Sequence, residues 1–262
     1  MTRRAPNPAR WAVALGVLLT CQDGALAGPR DANGAVVRTS AGSIVGTEGA
    51  VRVFRGIPYA MPPLGVLRWR APQPVKPWTG LRDASHFSDD CMQVPYVIPT
   101  GQQAGEDCLT LSVWTPEHTG GANRPVLVYL YGGGFIGGSV AYPLYDGTKL
   151  AAHGVVVVSV SYRVGILGFL AHPMLTAESP HHASGNYGLL DQIEALRWVK
   201  GNIAAFGGDP ARVTVFGESA GAVSIAILMA SPLARDLFAR AALFSPAVMP
   251  LATLPAAQAA GA

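Results

Sequence analysis

The sequence is poor in charge, with 13% Asp, Glu, Lys and Arg among its 262 residues, and it contains only three cysteines. Low charge together with 50% hydrophobic residues excludes an intrinsically disordered chain. It also argues against a nucleic-acid partner, because no run of Lys and Arg is present to form a basic surface. Three cysteines are too few for a disulfide-dense fold. What remains is a compact globular protein, long enough for one large domain or two small ones.

Residues 1–27 carry the pattern of a secretory signal peptide. Arginines precede the apolar stretch 11–20, and the small residues 25–27 follow it as a cleavage site. The stretch is too short to span a bilayer, so we expect no stable membrane insertion. A lipoprotein site at Cys21 and twin-arginine export are weaker alternatives, since Thr20 fits poorly before the cysteine and no apolar residue closely follows the paired arginines. We therefore expect a secreted or periplasmic protein from a bacterium.

Cleavage after residue 27 would leave a mature chain with two cysteines and a net charge of +1. So small a charge indicates no particular class of partner. An even pair of cysteines in an exported chain, here Cys91 and Cys108, predicts a disulfide. A loop of that size would contribute about 3 kcal/mol to stability. Two buried free thiols are the alternative.

The rest of the chain is organised as short strands followed by alternating strands and helices. β-branched runs separated by glycine predict small antiparallel strands at 36–37, 43–45 and 51–54, and the alternation of Leu109, Leu111 and Val113 predicts a half-buried strand. Near-continuous apolar runs, typical of strands covered on both faces, occupy 126–130 and 155–160. The pattern then predicts a helix at 190–206, a strand at 213–216, a helix at 220–229 and a strand at 241–244. This order favours an α/β fold with a largely parallel central sheet, preceded by small antiparallel strands.

The segment 217–221 has the pattern G-x-S-x-G, with Ser219 at its centre. A predicted buried strand ends at Phe216 and an apolar helical run starts after Ser219, which is the setting of a nucleophile elbow. The flanking glycines let the chain turn sharply and keep side chains away from the serine. Ser219 would then stand at a helix N-terminus, where unpaired backbone N–H groups favour a developing negative charge.

A run of three glycines, 132–134, directly follows the predicted strand 126–130. Glycines at this place allow backbone N–H groups to approach a substrate oxygen closely. Together with the N–H of Ala220 they would form an oxyanion hole. Each motif alone could be an ordinary turn, but the two in this order, each after a buried strand, indicate acyl-transfer chemistry.

Several stretches of the sequence resemble the type-B carboxylesterase family, which includes carboxylesterases, bile-salt lipases and cholinesterases. The stretches that carry the resemblance are 54–60, 106–113, 132–135, 161–165, 186–192 and 216–221. The resemblance covers about residues 36–245. It implies an α/β-hydrolase fold and a secreted serine ester hydrolase that acts on a small-molecule or lipid ester. It implies no cofactor and no metal, and the adjacent His181 and His182 lack a third residue spaced to complete a metal site.

The resemblance also implies roles for individual residues. Ser219 would be the nucleophile, and the oxyanion hole would come from Gly133, Gly134 and Ala220. The remaining matches are the disulfide of Cys91 with Cys108, the structural ion pairs of Arg68 with Glu106 and of Arg163 with Asp191, and two polar residues behind the site, Glu218 and Ser245.

The sequence after Ser219 lacks the partners that a nucleophilic serine needs. A serine hydroxyl is a weak nucleophile until a histidine accepts its proton and a carboxylate orients that histidine. On the implied fold both follow the serine, yet the 43 remaining residues contain no His, no Glu and a single Asp, Asp236. We therefore expect residues 28–262 to be a partial domain with the C-terminal half of the fold missing, incomplete as a catalyst unless that half acts in trans. The charge-free Ala/Pro-rich tail 246–262 is expected to be unstructured, as in a truncated or frame-shifted reading of a longer gene.

Two other readings of the sequence stay open. The chain could be a catalytically inactive fragment, or a non-catalytic binding protein related to the cholinesterases. Ser219 and the complete glycine run argue against the binding protein. A cholinesterase is disfavoured, because no Trp lies between Cys91 and Cys108 to stack on choline.

Overall fold

The computed structural model describes residues 35–94, 99–117, 123–247 and 251–262. The predicted signal peptide, residues 1–27, lies outside this part of the chain. The strands are β1 Ala35–Arg38, β2 Ser43–Gly46, β3 Val51–Pro58, β4 Leu81–Asp83, β5 Asp90–Cys91, β6 Ala104–Gly105, β7 Thr110–Pro116, β8 Arg124–Leu130, β9 Val156–Val160, β10 Gly208–Glu218 and β11 Arg240–Phe244. The α-helices are α1 Thr148–Ala151, α2 Gly165–Phe169, α3 Pro173–Glu178, α4 Tyr187–Asn202, α5 Ala220–Ala230 and α6 Leu254–Gly261.

Six of the strands form a central sheet in the order β11-β10-β8-β9-β7-β3. The four strands from β11 to β9 are parallel to one another, whereas β7 runs antiparallel to β9 and β3 antiparallel to β7. A smaller sheet pairs β1 antiparallel with β2 and β2 parallel with β4. The predicted α/β architecture, with a largely parallel sheet preceded by small strands, is confirmed.

The central sheet is covered on both faces at β9, whereas no residue of the edge strand β11 is fully buried. All five residues of β9 are buried, and the ring of Phe54 in β3 meets that of Phe206 edge to face with their centroids 5.1 Å apart. The prediction of a half-buried strand through Leu111 and Val113 is wrong. Every residue of β7 from Thr110 to Thr115 is buried, because Leu111 and Val113 belong to the main core while Trp114 packs with Ala151 of α1 in a second apolar cluster.

The predicted helix at 190–206 is α4 followed by the single 3₁₀ turn Ile203–Phe206. Gly207 ends this turn with a φ of 82°, a left-handed conformation that glycine adopts without a steric penalty. The next strand, β10, begins at Gly208, five residues before the predicted start. It is therefore the longest strand of the sheet, and it leads directly to Ser219.

The tail 246–262 is not unstructured throughout, which corrects that expectation. Eight of its residues form α6, with Pro at the start of the helix and four alanines within it. Proline is tolerated in the first turn of a helix and alanine is the best helix former, so the composition that looked disordered favours a helix here. Gln258 of α6 also donates to Thr176 Oγ1 of α3 at 2.7 Å. Among the described residues, the helices are all too short or too polar to cross a bilayer.

Candidate active site

Ser219 occupies a strained turn between β10 and α5. Its φ is 54° and its ψ is −123°, a conformation that residues other than glycine rarely adopt. The backbone holds it there from two sides. Its N–H donates to Phe244 O of β11 at 3.0 Å, and its carbonyl accepts from Val223 N of α5 at 2.9 Å. The turn leaves the Ser219 side chain partly exposed at the end of the sheet.

Glycine is required on both sides of Ser219 because backbone packs directly on backbone. A Cβ placed on Gly217 would lie 2.7 Å from Leu130 O, and one placed on Gly221 would lie 2.1 Å from the same oxygen. Either contact is shorter than real Cβ atoms make. The G-x-S-x-G pattern therefore reflects the close approach of β10 and α5 to the end of β8.

The segment after β8, residues 132–138, is named here the glycine turn, and it begins beside Ser219. A Cβ on Gly132 would lie 3.0 Å from Ser219 Cβ. The turn is closed by Gly133 O, which accepts from Ile136 N at 3.1 Å and from Gly137 N at 3.3 Å. It needs left-handed backbone, with φ of 122° at Gly133 and 62° at Gly134.

The backbone N–H groups around Ser219 are free to bind an anion. Within the part of the chain that the structure describes, the N–H groups of Gly133 and Gly134 donate no hydrogen bond. Ala220 is the first residue of α5, so its N–H is among the four that an α-helix leaves without an intrahelical partner. The helix N-terminus adds a partial positive charge at the same place. The structure thus brings the serine and the three predicted donors into one region.

The start of the glycine turn is fixed by two tyrosines. The rings of Tyr131 and Tyr162 are stacked with centroids 4.3 Å apart. Each hydroxyl donates to the other residue's carbonyl, at 2.9 Å from Tyr131 and 2.6 Å from Tyr162. Burial raises the pKa of both phenols well above the ordinary value, so both hydroxyls stay protonated as donors. The sequence pattern does not predict this pair, because Tyr131 lies at the end of β8 and Tyr162 at the end of β9, far apart in the sequence.

The polar residues predicted behind the site lie next to the elbow. Glu218 precedes Ser219, and its carboxylate oxygen Oε2 would lie 2.9 Å from a Cβ on Gly132. Ser245 follows Phe244, the residue paired with Glu218 across β10 and β11. It has a φ of 48° and is exposed. Both residues therefore flank Ser219 from the two neighbouring strands.

The structure places no histidine at this site among the residues it describes. His172 caps α3, with Nδ1 accepting from Met174 N at 3.2 Å. The other described histidines are exposed: His86, His153, His181 and His182. His118 lies outside the described residues. Within those residues there is also no group of three His, Cys, Asp or Glu side chains placed to hold a metal ion.

One contact elsewhere has the composition of a catalytic triad but not its geometry. Ser85 Oγ lies 2.7 Å from His86 Nδ1, and Asp83 Oδ2 lies 3.5 Å from that same nitrogen. A histidine that relays a proton uses one nitrogen for the hydroxyl and the other for the carboxylate. The cluster also packs on β3 at Gly56, four strands away from β10, or roughly 19 Å at the usual spacing of strands. It is a surface turn, in which hydrogen bonds from Ser85 lower the pKa of Asp83.

Of the two predicted ion pairs, the one between Arg163 and Asp191 is buried. Two side-chain hydrogen bonds join them, Nε to Oδ2 at 2.8 Å and NH2 to Oδ1 at 2.7 Å, and Asp191 is fully buried. Burial by itself lowers the pKa of Arg163, but the Asp191 carboxylate outweighs it and the pKa is raised. The pair ties the chain after β9 to the first turns of α4.

The second predicted pair lies at the surface near the disulfide. Arg68 and Glu106 form two side-chain hydrogen bonds of 2.6 and 2.5 Å in the solvent-exposed part of the structure. Cys91 and Cys108 form the predicted disulfide, with their Cα atoms 5.0 Å apart and both residues buried. The disulfide prediction is confirmed, and Gln93 of the loop that it closes, residues 91–108, contacts Gly138 at the end of the glycine turn.

Known proteins resemble this chain over most of its length. The model of the Carboxylesterase family matches residues 33–261, beyond the predicted limit at 245. The chain is 52% identical over 229 residues to fumonisin B1 esterase of Sphingopyxis macrogoltabida, a match covering 86% of this chain and 42% of that protein. It is 47% identical over 222 residues to phenmedipham hydrolase of Pseudarthrobacter oxydans, covering 80% and 43%.

Among solved structures, the chain is similar to the carboxylesterase EST55 of Geobacillus stearothermophilus, with a TM-score of 0.73 and 46% identity over 79% of this chain and 42% of the other. The α/β-hydrolase fold expected from the sequence is confirmed by this similarity. The chain spans about two fifths of the length of the curated relatives named above.

Proposed function

Because this chain belongs to the carboxylesterase family, we propose that Ser219 is the nucleophile of a serine carboxylic ester hydrolase. The observation that carries the proposal is the position of Ser219. It stands on a strained turn at the N-terminus of α5, beside glycines whose N–H groups donate to no other described residue. Strain of this kind persists where the surrounding structure imposes it, and it is concentrated at active sites.

The reaction follows from the groups at the site. Ser219 Oγ attacks the ester carbonyl carbon and forms a C–O bond, while its proton passes to a general base. The N–H groups of Gly133, Gly134 and Ala220 stabilise the negative charge that develops on the carbonyl oxygen. When the tetrahedral intermediate collapses, the bond to the alcohol breaks and the alcohol leaves with a proton. Water then hydrolyses the acyl-enzyme, which releases the carboxylic acid and restores the serine.

The base and the carboxylate that orients it are proposed to come from sequence outside this chain. Support comes from the described histidines, none of which lies at Ser219, and from the 43 residues after Ser219, which contain no histidine.

The substrate is proposed to be a small-molecule or lipid ester, in keeping with the esterases among the relatives. We also propose export to the periplasm or the medium, supported by the signal-peptide pattern of residues 1–27 and by the disulfide.

The test measures acetylation of Ser219 by p-nitrophenyl acetate, with and without imidazole as an external base. The wild-type chain is compared with Ser219→Ala and with Ser40→Ala, an exposed serine outside the site. We expect imidazole to allow acetylation of Ser219, mapped by mass spectrometry, in the wild type and in Ser40→Ala. Acetylation spread over other serines, with none on Ser219, would refute the nucleophile. Turnover without imidazole that depends on Ser219 would refute the proposal that the base lies outside this chain.

A further inference from the structure

The far end of the glycine turn is held by a side chain from the disulfide loop. Gln93, two residues after Cys91, pairs with the backbone of Gly138 through two hydrogen bonds. Its Nε2 donates to Gly138 O at 2.8 Å, and its Oε1 accepts from Gly138 N at 2.8 Å. Such a pair imitates the contact between neighbouring β-strands and fixes both the position and the orientation of the peptide.

Gln93 is in turn fixed to the disulfide. Its Nε2 makes a further hydrogen bond to Cys91 O at 3.0 Å. The amide therefore faces two carbonyl oxygens with its NH₂ group and one N–H with its oxygen, which determines its orientation. A second contact reinforces the connection, because buried Ser139 donates to Asp90 Oδ1 and Asp90 Oδ2 accepts from Thr100 Oγ1 at 2.6 Å.

The glycine turn thus has supports at both ends, and Phe135 adds contacts in its middle. The Tyr131 and Tyr162 pair holds the start, and Gln93 holds the end. In its middle, Phe135 O accepts from Gly165 N at 2.7 Å and the Phe135 ring meets that of Phe169 with centroids 5.0 Å apart, while the hydrogen bonds to Gly133 O close the turn itself. Because Gly137 N, next to Gly138, donates to Gly133 O, movement of Gly138 would loosen the closure of the turn and displace the N–H groups of Gly133 and Gly134.

We propose that Gln93 is a positioning residue for the oxyanion hole, through its paired hydrogen bonds to Gly138 and its bond to the Cys91 carbonyl. The proposal rests on the proposed function, because it assigns the oxyanion hole to the glycine turn. Gln93 itself acts through the backbone and touches no reacting atom. The disulfide loop, residues 91–108, would then determine the geometry of the catalytic site as well as the stability of the fold.

The test compares Gln93→Glu with Gln103→Glu. The first substitution keeps the shape of the side chain but turns a carboxylate oxygen toward the carbonyls of Cys91 and Gly138. Gln103 is exposed in the same loop, and its backbone carbonyl accepts from Asp90 N at 2.8 Å, while its side chain makes no hydrogen bond to another described residue. Both variants add one negative charge to the same loop, so their difference isolates the contacts of the Gln93 side chain with Gly138 and Cys91.

Two readouts are needed, and the first does not depend on catalysis. Hydrogen exchange at the Ile136 and Gly137 amides, which donate to Gly133 O, is expected to be at least about tenfold faster in Gln93→Glu than in the wild type and in Gln103→Glu. Amides of β8 should exchange at unchanged rates in all three. Equal exchange of Ile136 and Gly137 in the two variants would overturn the proposal, whether or not Ser219 reacts.

The second readout is the imidazole-assisted acetylation of Ser219. Displaced donors would stabilise the transition state less without changing the binding of the ester. The maximal rate constant for acetylation should therefore fall about 10- to 100-fold in Gln93→Glu. The ester concentration for half-maximal rate should stay the same. A loss of folded protein would lower the amount of acetylated serine without changing the rate constant, and an unchanged rate constant contradicts the positioning role. If wild-type Ser219 is not acetylated, the proposed function fails, and the amide exchange alone decides on Gln93.

Discussion

Gly221, the second residue of α5, lies so close to Leu130 at the end of β8 that a Cβ on Gly221 would stand 2.1 Å from the Leu130 carbonyl oxygen. The same Cβ would lie 2.8 Å from Tyr131 O. Both neighbours are backbone atoms of a buried strand end and cannot move aside as a flexible side chain would. This contact sets the distance between α5 and β8, and with it the distance between Ser219 and the glycine turn.

Gly221→Ala is therefore expected to destabilise the protein by about 3 kcal/mol, since α5 must shift outward to admit a methyl group. The measurement is the free energy of unfolding from urea denaturation. Gly201→Ala is the matched control, because Gly201 lies in α4 and a Cβ there meets nothing within 4 Å. That control should stabilise the protein by about 0.5–1 kcal/mol through the higher helix propensity of alanine. Equal effects of the two substitutions would contradict the close packing described for Gly221.

Asp191→Asn is expected to cost about 3–5 kcal/mol, because it leaves the buried guanidinium of Arg163 without its counter-charge. Glu106→Gln serves as the control, since it weakens the pair with Arg68 in a solvent-exposed setting. We expect the melting temperature to fall markedly for Asp191→Asn and to stay within error for Glu106→Gln. A similar melting temperature for both variants would show that the Arg163 pair is not structurally important.

Removal of the disulfide through Cys91→Ala with Cys108→Ala is expected to lower the free energy of unfolding by about 3 kcal/mol on the chain-entropy model. Thiol titration of the denatured chain provides an independent check. Without reductant only Cys21 should react if it is still present, and reduction should expose two more thiols. Reaction of Cys91 and Cys108 before reduction would contradict the bridge.

Stability is expected to decline at alkaline pH because of three fully buried tyrosines, Tyr59, Tyr131 and Tyr162. Burial raises the pKa of each phenol above its ordinary value of 10.0. The folded state then holds these protons more tightly than the unfolded chain does. Their contribution to stability is therefore complete below about pH 10 and is lost as the pH rises above it, by up to about 1.4 kcal/mol per pH unit for each tyrosine.

The measurement is the free energy of unfolding between pH 8 and pH 11 for the wild type and for Tyr162→Phe. Below the ordinary phenol pKa the two proteins should differ by a constant amount, which reflects the lost hydrogen bond to Tyr131 O. Above that pKa, the free energy of unfolding should fall less steeply with pH in the variant than in the wild type, by the contribution of one tyrosine. Identical slopes would mean that the Tyr162 phenol does not resist ionisation in the folded state.

The part of the site that depends on local chain geometry could be predicted from the sequence. Ser219 was identified because the sharp turn, its glycines and the flanking strand and helix all lie within a few residues of one another. Which face of a strand is exposed to solvent is harder to predict from local sequence. The alternation in β7 suggested one solvent-facing side, but Ser112 and Trp114 are buried by elements distant in the sequence.

The supports of the glycine turn were not predictable for the same reason. Gln93 and Gly138 are 45 residues apart, and an amide that pairs with a distant peptide leaves no periodicity or motif. The disulfide loop could be predicted as a covalent closure, but not as a neighbour of the oxyanion donors. For α6, composition was ambiguous, because the alanine-rich content that marks low complexity is also the content that most favours a helix.

The order of strands in the central sheet has a consequence for the folding of a chain that emerges from a membrane channel with its N-terminus first. β7 and β8 are consecutive in the sequence but separated in the sheet by β9. Until the residues of β9 have emerged, β8 has no neighbour through which to join the antiparallel pair of β3 and β7. β10 and β11 can add only after β8 is in place. Folding is therefore expected to follow the order in which the strands emerge, with an unpaired apolar strand exposed during the interval between β8 and β9.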